Sequence, residues 1–224
     1  MVIQTLKKPI LFTLALLIAY FPSLNVFFVQ DDFYHLYGSK LYSLFDLFQW
    51  VSHHEFDGFY RPLGVYIPIG LLQLIFGLQP FWYHLLIFSI HLLNTWLIVK
   101  ILKKIDAREK VAWLGGFFFL IHPIHIYSLT WIAEMSLVLV TFWTLITILF
   151  YLNYLKHSNK KTGTLVAVFT MAAILTNELA LTLPLLAFLL PTLIQQPLLR
   201  LRKLLPIIIP ILIYIPIRLI LIPP

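Results

Sequence analysis

The 224 residues are 61% hydrophobic and only 11% charged, with a formal charge of +7 and a mean hydropathy of +0.92. A soluble domain needs about 25% charged residues to cover its surface, so lipid has to be the main solvent and a water-soluble enzyme is excluded. Cysteine is absent, which excludes disulfides and thiolate metal sites.

In chain order, apolar runs able to cross a hydrocarbon layer are expected as helices over residues 9–29, 80–102, 111–127, 135–155, 164–175, 179–194 and 204–222. The first is too long for a cleavable signal peptide, and Tyr20-Phe21-Pro22 is a poor cleavage site. Four basic clusters punctuate these runs: Lys7 and Lys8; Lys100, Lys103, Lys104, Arg108 and Lys110; Lys156, Lys160 and Lys161; Arg200, Arg202 and Lys203. They hold 13 of the 16 Lys and Arg, and the positive-inside rule puts all four in the cytoplasm. The apolar run 62–78 then cannot be a full crossing, because it would move the Lys100–Lys110 cluster outside. Its Pro62, Pro68, Gly64, Gly70 and Gly77 suit a juxtamembrane or re-entrant helix on the outer face. The expected fold is all-α: a single polytopic module, 1–224, with about seven transmembrane helices and outer juxtamembrane helices within about 30–79. The N-terminus is cytoplasmic, in the cell membrane if the source is prokaryotic.

That topology leaves seven of the nine acids outside: Asp31, Asp32, Asp46, Glu55, Asp57, Glu134 and Glu178. The outer segment 30–60 is the densest polar stretch, with amphipathic character over 41–51 and His35, His53 and His54 among its acids. Chemistry is therefore expected on the extracytoplasmic face.

Asp31-Asp32 follows the first span directly. Mutual repulsion and desolvation would raise at least one pKa, as a general base requires, although an acidic helix cap would look the same. Arg61, in Tyr60-Arg61-Pro62-Leu63, could grip a phosphate through its planar fork of donors or simply anchor at the interface. His122 and His125 lie three apart near the outer end of the third span. The intervening Pro123 disfavours a metal pair, and phosphate contact or hydrogen bonding is preferred. His84 and His91 share a face of the second span, where interhelical hydrogen bonding with Asn94 is expected. Glu178, between two short spans, needs a partner or a polar cavity, and Arg218 near the outer end of the last span needs the same.

The order of these pieces resembles a known family. An acidic pair after span one is followed by Tyr60-Arg61-Pro62-Leu63, Pro80-Phe81-Trp82-Tyr83-His84 with His91-Leu92-Leu93-Asn94, His122-Pro123-Ile124-His125, Asn177-Glu178 and Tyr214-Ile215-Pro216-Ile217-Arg218. This is similar to the GT-C integral-membrane glycosyltransferases, nearest the branch of protein O-mannosyltransferases and tetratricopeptide-containing membrane mannosyltransferases. The resemblance implies inverting transfer of a mannose-like sugar from a polyprenyl-phosphate carrier to a protein or glycan hydroxyl on the outer face. Asp31 would be the general base with Asp32 beside it. Arg61, His122, His125, Glu178 and Arg218 would bind the substrate or the carrier phosphate. No metal and no further cofactor are implied. Asn177 stands where the family commonly has Lys, and the chain ends where relatives continue, so a fragment is expected alongside a minimal or inactive member. The competing readings are a non-catalytic membrane protein binding a lipid carrier and a transporter, the latter disfavoured because the acids lie at span ends and no inverted repeat is visible.

Overall fold

The computed structural model describes residues 2–43, 45–46, 59–193 and 201–221. The expected amphipathic stretch 41–51 falls largely outside them, as do His53, His54, Glu55 and Asp57. Among the described residues all regular structure is helical.

Helix α1 (Val2–Tyr20) continues into a 3-10 turn, Phe21–Asn25, where Pro22 removes an amide donor. Its Phe12, Leu16 and Tyr20, four apart, form the buried stripe. After α2 (Asp31–Gly38), the segment Pro62–Phe76 opens as a π-turn over Pro62–Tyr66 and continues as α3 (Ile67–Phe76). Then come α4 (Pro80–Lys104), α5 (Glu109–Ile121) and α6 (Ile126–Thr130). Between α5 and α6, Pro123 forces a 42° bend through the 3-10 turn Pro123–His125. Helices α7 (Met135–His157), α8 (Lys160–Thr176), α9 (Leu183–Leu193) and α10 (Leu205–Leu221) complete the chain.

Helix α7 packs between α4 and α8, α5 lies on α4, α1 on α5, and α10 on α8. Ile18, Ile124 and Ile220 are 83%, 73% and 78% exposed, a surface that water would penalise and hydrocarbon would not. Buried polar side chains join neighbouring helices. His84 Nε2 donates to Val26 O (3.2 Å), His91 Nε2 to Leu120 O (3.0 Å) and Asn94 Nδ2 to Val138 O (2.9 Å). The expected interhelical bonding is there, but each side chain satisfies a different neighbour's backbone.

Among the described residues, three helices are long and apolar enough to cross a membrane: Lys8–Asn25, Pro80–Lys104 and Ile132–His157. A fourth results if Glu109–Ile121 and Pro123–Thr130 count as one bent span. Pro62–Phe76, Glu178–Thr192 and Leu205–Leu221 are apolar but shorter. The expectation of about seven spans thus meets three or four helices of full length.

Contacts sort the charges to opposite ends of the bundle. Lys8 Nζ pairs with Glu109 (2.9 Å), Lys103 Nζ with the same carboxylate (3.6 Å), Lys104 with Asn153, and Lys203 Nζ with Leu155 O (2.9 Å). The helix termini carrying the basic clusters therefore meet at one end. At the other end Tyr20 Oη donates to His122 O (3.1 Å), and Arg61 pairs with Glu178. The segment Pro62–Phe76 starts there, right after Arg61. It also ends there, because Tyr83, in the first turn of α4, donates to Gly77 O (2.9 Å). Residues 62–78 thus leave and return to the same end.

Candidate functional site

Helix α2 begins with two carboxylates that the fold treats differently. Asp32 is 2% exposed. Its Oδ2 accepts from Val29 N (2.9 Å), closing the turn into α2, and its Oδ1 accepts from Ala133 N (2.6 Å), fastening α2 to the turn before α7. Asp31 is exposed, and its carboxylate makes no hydrogen bond or ion pair among the described residues. Gln30, just before it, has φ 45° and ψ −115°, a conformation costing about 1–3 kcal/mol in a residue with a side chain.

Burial pushes the Asp32 carboxyl above the usual aspartate range; the Asp31 charge adds to the push, and the two N–H donors oppose it. The folded state therefore favours protonated Asp32. That contribution is complete below the unfolded pKa and is lost as pH rises through the higher folded value. Asn at position 32 does not titrate. The melting temperature of the wild type relative to Asp32→Asn is accordingly expected to fall as pH rises from about 3 to about 7. Thermal unfolding of both proteins across that range checks the sign, and a rising difference would contradict it.

Arg61 and Glu178, 117 residues apart in sequence, form an ion pair at 2.6 Å between Nε and Oε2. Their side chains are 23% and 22% exposed, so the pair is partly desolvated and its charge-assisted bond is strong. The guanidinium also lies 4.1 Å from the Phe59 ring centre. Only Nε is engaged by Glu178; the terminal nitrogens have no further hydrogen-bond partner among the described residues. Tyr60 packs on Tyr214 (ring centres 6.1 Å apart). The charges of Glu178, Arg218 and Arg61 all reach the Tyr214 hydroxyl. Arg218 lies one helical turn beyond Tyr214 on α10.

The backbone that carries this pair is closely fitted. A Cβ on Gly64 would stand 2.0 Å from Thr176 O and 3.0 Å from Ser136 Cβ, so only glycine lets the π-turn rest on the ends of α7 and α8. Asn177 Nδ2 donates to Ser136 Oγ (3.0 Å), while its Oδ1 accepts from Leu179 N (3.1 Å) and caps the turn Glu178–Thr182. Asp32 holds Ala133, Asn177 holds Ser136, and Gly64 sits on Thr176 and Ser136. One layer of contacts thus underlies both the acidic pair and the Arg61–Glu178 pair.

The histidines lie elsewhere. His125 lines a cavity of about 220 Å³ with His91, Asn94 and Thr141. Its ring centre is 4.8 Å from that of His91 and 6.4 Å from that of His122. His122 Nδ1 accepts from Ile124 N (3.2 Å), which orders the bend at Pro123. Glu178 is not among the residues lining that cavity, and the turn at Pro123 directs His125 towards α4 and α7. Among the described residues no group of three or more His, Asp or Glu is placed to hold a metal ion. From the sequence, Tyr60, Tyr214 and Asn177 stood out only as members of motifs and Gly64 only as a sign of a broken helix; none was expected to shape the site.

Comparison with known proteins gives one informative match. The chain is 28% identical over 131 residues to the protein O-mannosyl-transferase Tmtc1 of Drosophila melanogaster. The match covers 56% of this chain and 14% of that protein. No family model and no solved structure matches. The similarity supports a relationship to a glycosyltransferase branch, and several helices among the described residues are long and apolar enough to cross a membrane.

Proposed function

We propose that the chain is the catalytic module of an integral-membrane glycosyltransferase of GT-C type. It moves a mannose-like sugar from a polyprenyl-phosphate carrier to a protein or glycan hydroxyl, with inversion, on the extracytoplasmic face. Besides the distant likeness to an O-mannosyltransferase, one observation carries this reading: Arg61 is oriented by Glu178 through Nε, leaving its terminal donors for a phosphate, over the layer that also bears the uncommitted Asp31.

In the proposed reaction Asp31 takes the acceptor's hydroxyl proton as that oxygen bonds to the anomeric carbon. The bond from that carbon to the phosphate oxygen breaks, and its electron pair leaves with the polyprenyl phosphate. A phosphodiester anion becomes a monoester, so one negative charge develops on the leaving group. Arg61, with Arg218 as a second cation, faces that charge. Asp32 positions Asp31 by fastening α2.

Loss of the Arg61 fork is expected to weaken polyprenyl-phosphate binding by about tenfold or more, given about 1.5–3 kcal/mol for hydrogen bonds to a charged group. Titration of purified Arg61→Ala against Arg202→Ala, a cation at the other end, checks this. Equal affinities would remove Arg61 from the site.

The proposed topology has seven crossings formed by α1, α4, α5 with α6, α7, α8, α9 and α10, with the basic end cytoplasmic. Single cysteines can report it in this cysteine-free chain. Lys160→Cys is expected to resist an impermeant maleimide in intact cells and Leu179→Cys to react. The reverse pattern would overturn the orientation.

A further inference from the structure

At the basic end, α1 and α5 enclose a cavity of about 530 Å³ unrelated to the site above. Leu11, Phe12 and Leu114 form its apolar wall, and Lys8 and Lys110 stand at its mouth. Trp113 forms the floor of the charged part. Lys8 Nζ lies 4.3 Å and Lys103 Nζ 4.9 Å from its ring centre, and its Nε1 donates to Glu109 Oε1 (3.0 Å). That single carboxylate oxygen also pairs with Lys8 and Lys103. One negative charge thus serves two lysines, and with Lys110 also lining the cavity the rim keeps a positive excess. Phe12 packs edge-on against Trp113 (5.5 Å) and also lies against Trp96 (ring centres 6.0 Å apart).

We propose that this cavity binds one anionic phospholipid, its phosphate on Lys8 and Lys110 and an acyl chain along Leu11, Phe12 and Leu114. The cations answer the phosphate's charge, and Trp113 occupies the interfacial level where indole is favoured. A soluble phosphate could use the lysines but not the apolar wall, so the combination selects a lipid. Lysine stems can lie on that wall while their ammonium groups reach the headgroup plane.

Native mass spectrometry of the full chain with dioleoyl phosphatidylglycerol or dioleoyl phosphatidylcholine tests the site. One phosphatidylglycerol is expected to be retained in preference to phosphatidylcholine. Replacing Lys8 and Lys110 together by Ala is expected to lower retention about tenfold or more, from the attraction of each lysine to an anionic headgroup. Lys160→Ala with Lys161→Ala removes the same charge elsewhere at that end and is expected to leave retention unchanged. Glu109→Gln, which frees the lysines, is expected to raise retention. Glycerol phosphate is expected not to displace the lipid. Equal loss in both lysine pairs, equal retention of both lipids, displacement by glycerol phosphate, or weaker binding in Glu109→Gln would each overturn the proposal.

Discussion

Asp31→Asn is expected to lower the rate of sugar transfer by about two to four orders of magnitude, the usual contribution of a positioned general base. The substitution keeps the side chain's shape and removes its ability to take a proton. The exposed carboxylate has no structural bond to lose, so the melting temperature is expected to stay close to that of the wild type. Asp32→Asn is expected to behave in the opposite sense. Asn has one acceptor oxygen, so either Val29 N or Ala133 N loses its partner, at a cost of about 1–3 kcal/mol. Rate and thermal unfolding measured on both variants separate the roles. Full activity in Asp31→Asn with inactive but stable Asp32→Asn would move the base to Asp32.

Gly64→Ala is expected to cause the largest loss of stability among conservative changes. The added methyl would meet a main-chain oxygen at 2.0 Å, which no rotamer change can relieve, so the π-turn must lift from the ends of α7 and α8. Overpacking of this kind costs about 1–3 kcal/mol or more, or about 2–4 °C of melting temperature per kcal/mol for a chain of this size. Because Arg61 precedes the turn and Glu178 follows Thr176, the same shift draws the ion pair apart, and carrier binding is expected to weaken as well. Gly38→Ala is the control: its Cβ would meet only Tyr66 Cε1 at 3.7 Å, an ordinary contact. Equal melting temperatures for the two variants would show that the close approach at Gly64 is not rigid.

The all-helical organisation was legible because apolar runs and basic clusters alternate, and the clusters do meet at one end of the bundle. Parity of charge also set the expectation that residues 62–78 do not cross; the Tyr83–Gly77 bond ties the end of that segment to the first turn of α4. Helix length was less legible. Hydropathy marks where lipid is tolerated, but the chain turns at Pro22, Pro123 and Glu178 shorten the runs into pieces. Adjacent identical residues were opaque: whether Asp31 or Asp32 is buried depends on how α2 rotates to reach Ala133, 101 residues away. The Arg61–Glu178 pair was suggested only as shared membership of a site. Its geometry depends on glycine at 64 and on Asn177, whose dual bonding to Ser136 and Leu179 leaves no pattern in a single sequence.

Sugar transfer from a polyprenyl-phosphate carrier is the reaction to measure. The most direct test incubates the purified chain in lipid nanodiscs with polyprenyl-phosphate mannose and a Ser/Thr-containing peptide. Released polyprenyl phosphate and the anomeric configuration of the mannosyl peptide are then measured. Acceptor-dependent release is expected, one carrier phosphate per mannose transferred, with inverted configuration and loss of turnover in Asp31→Asn. Carrier binding that depends on Arg61 without any turnover would contradict it and leave a non-catalytic carrier-binding protein.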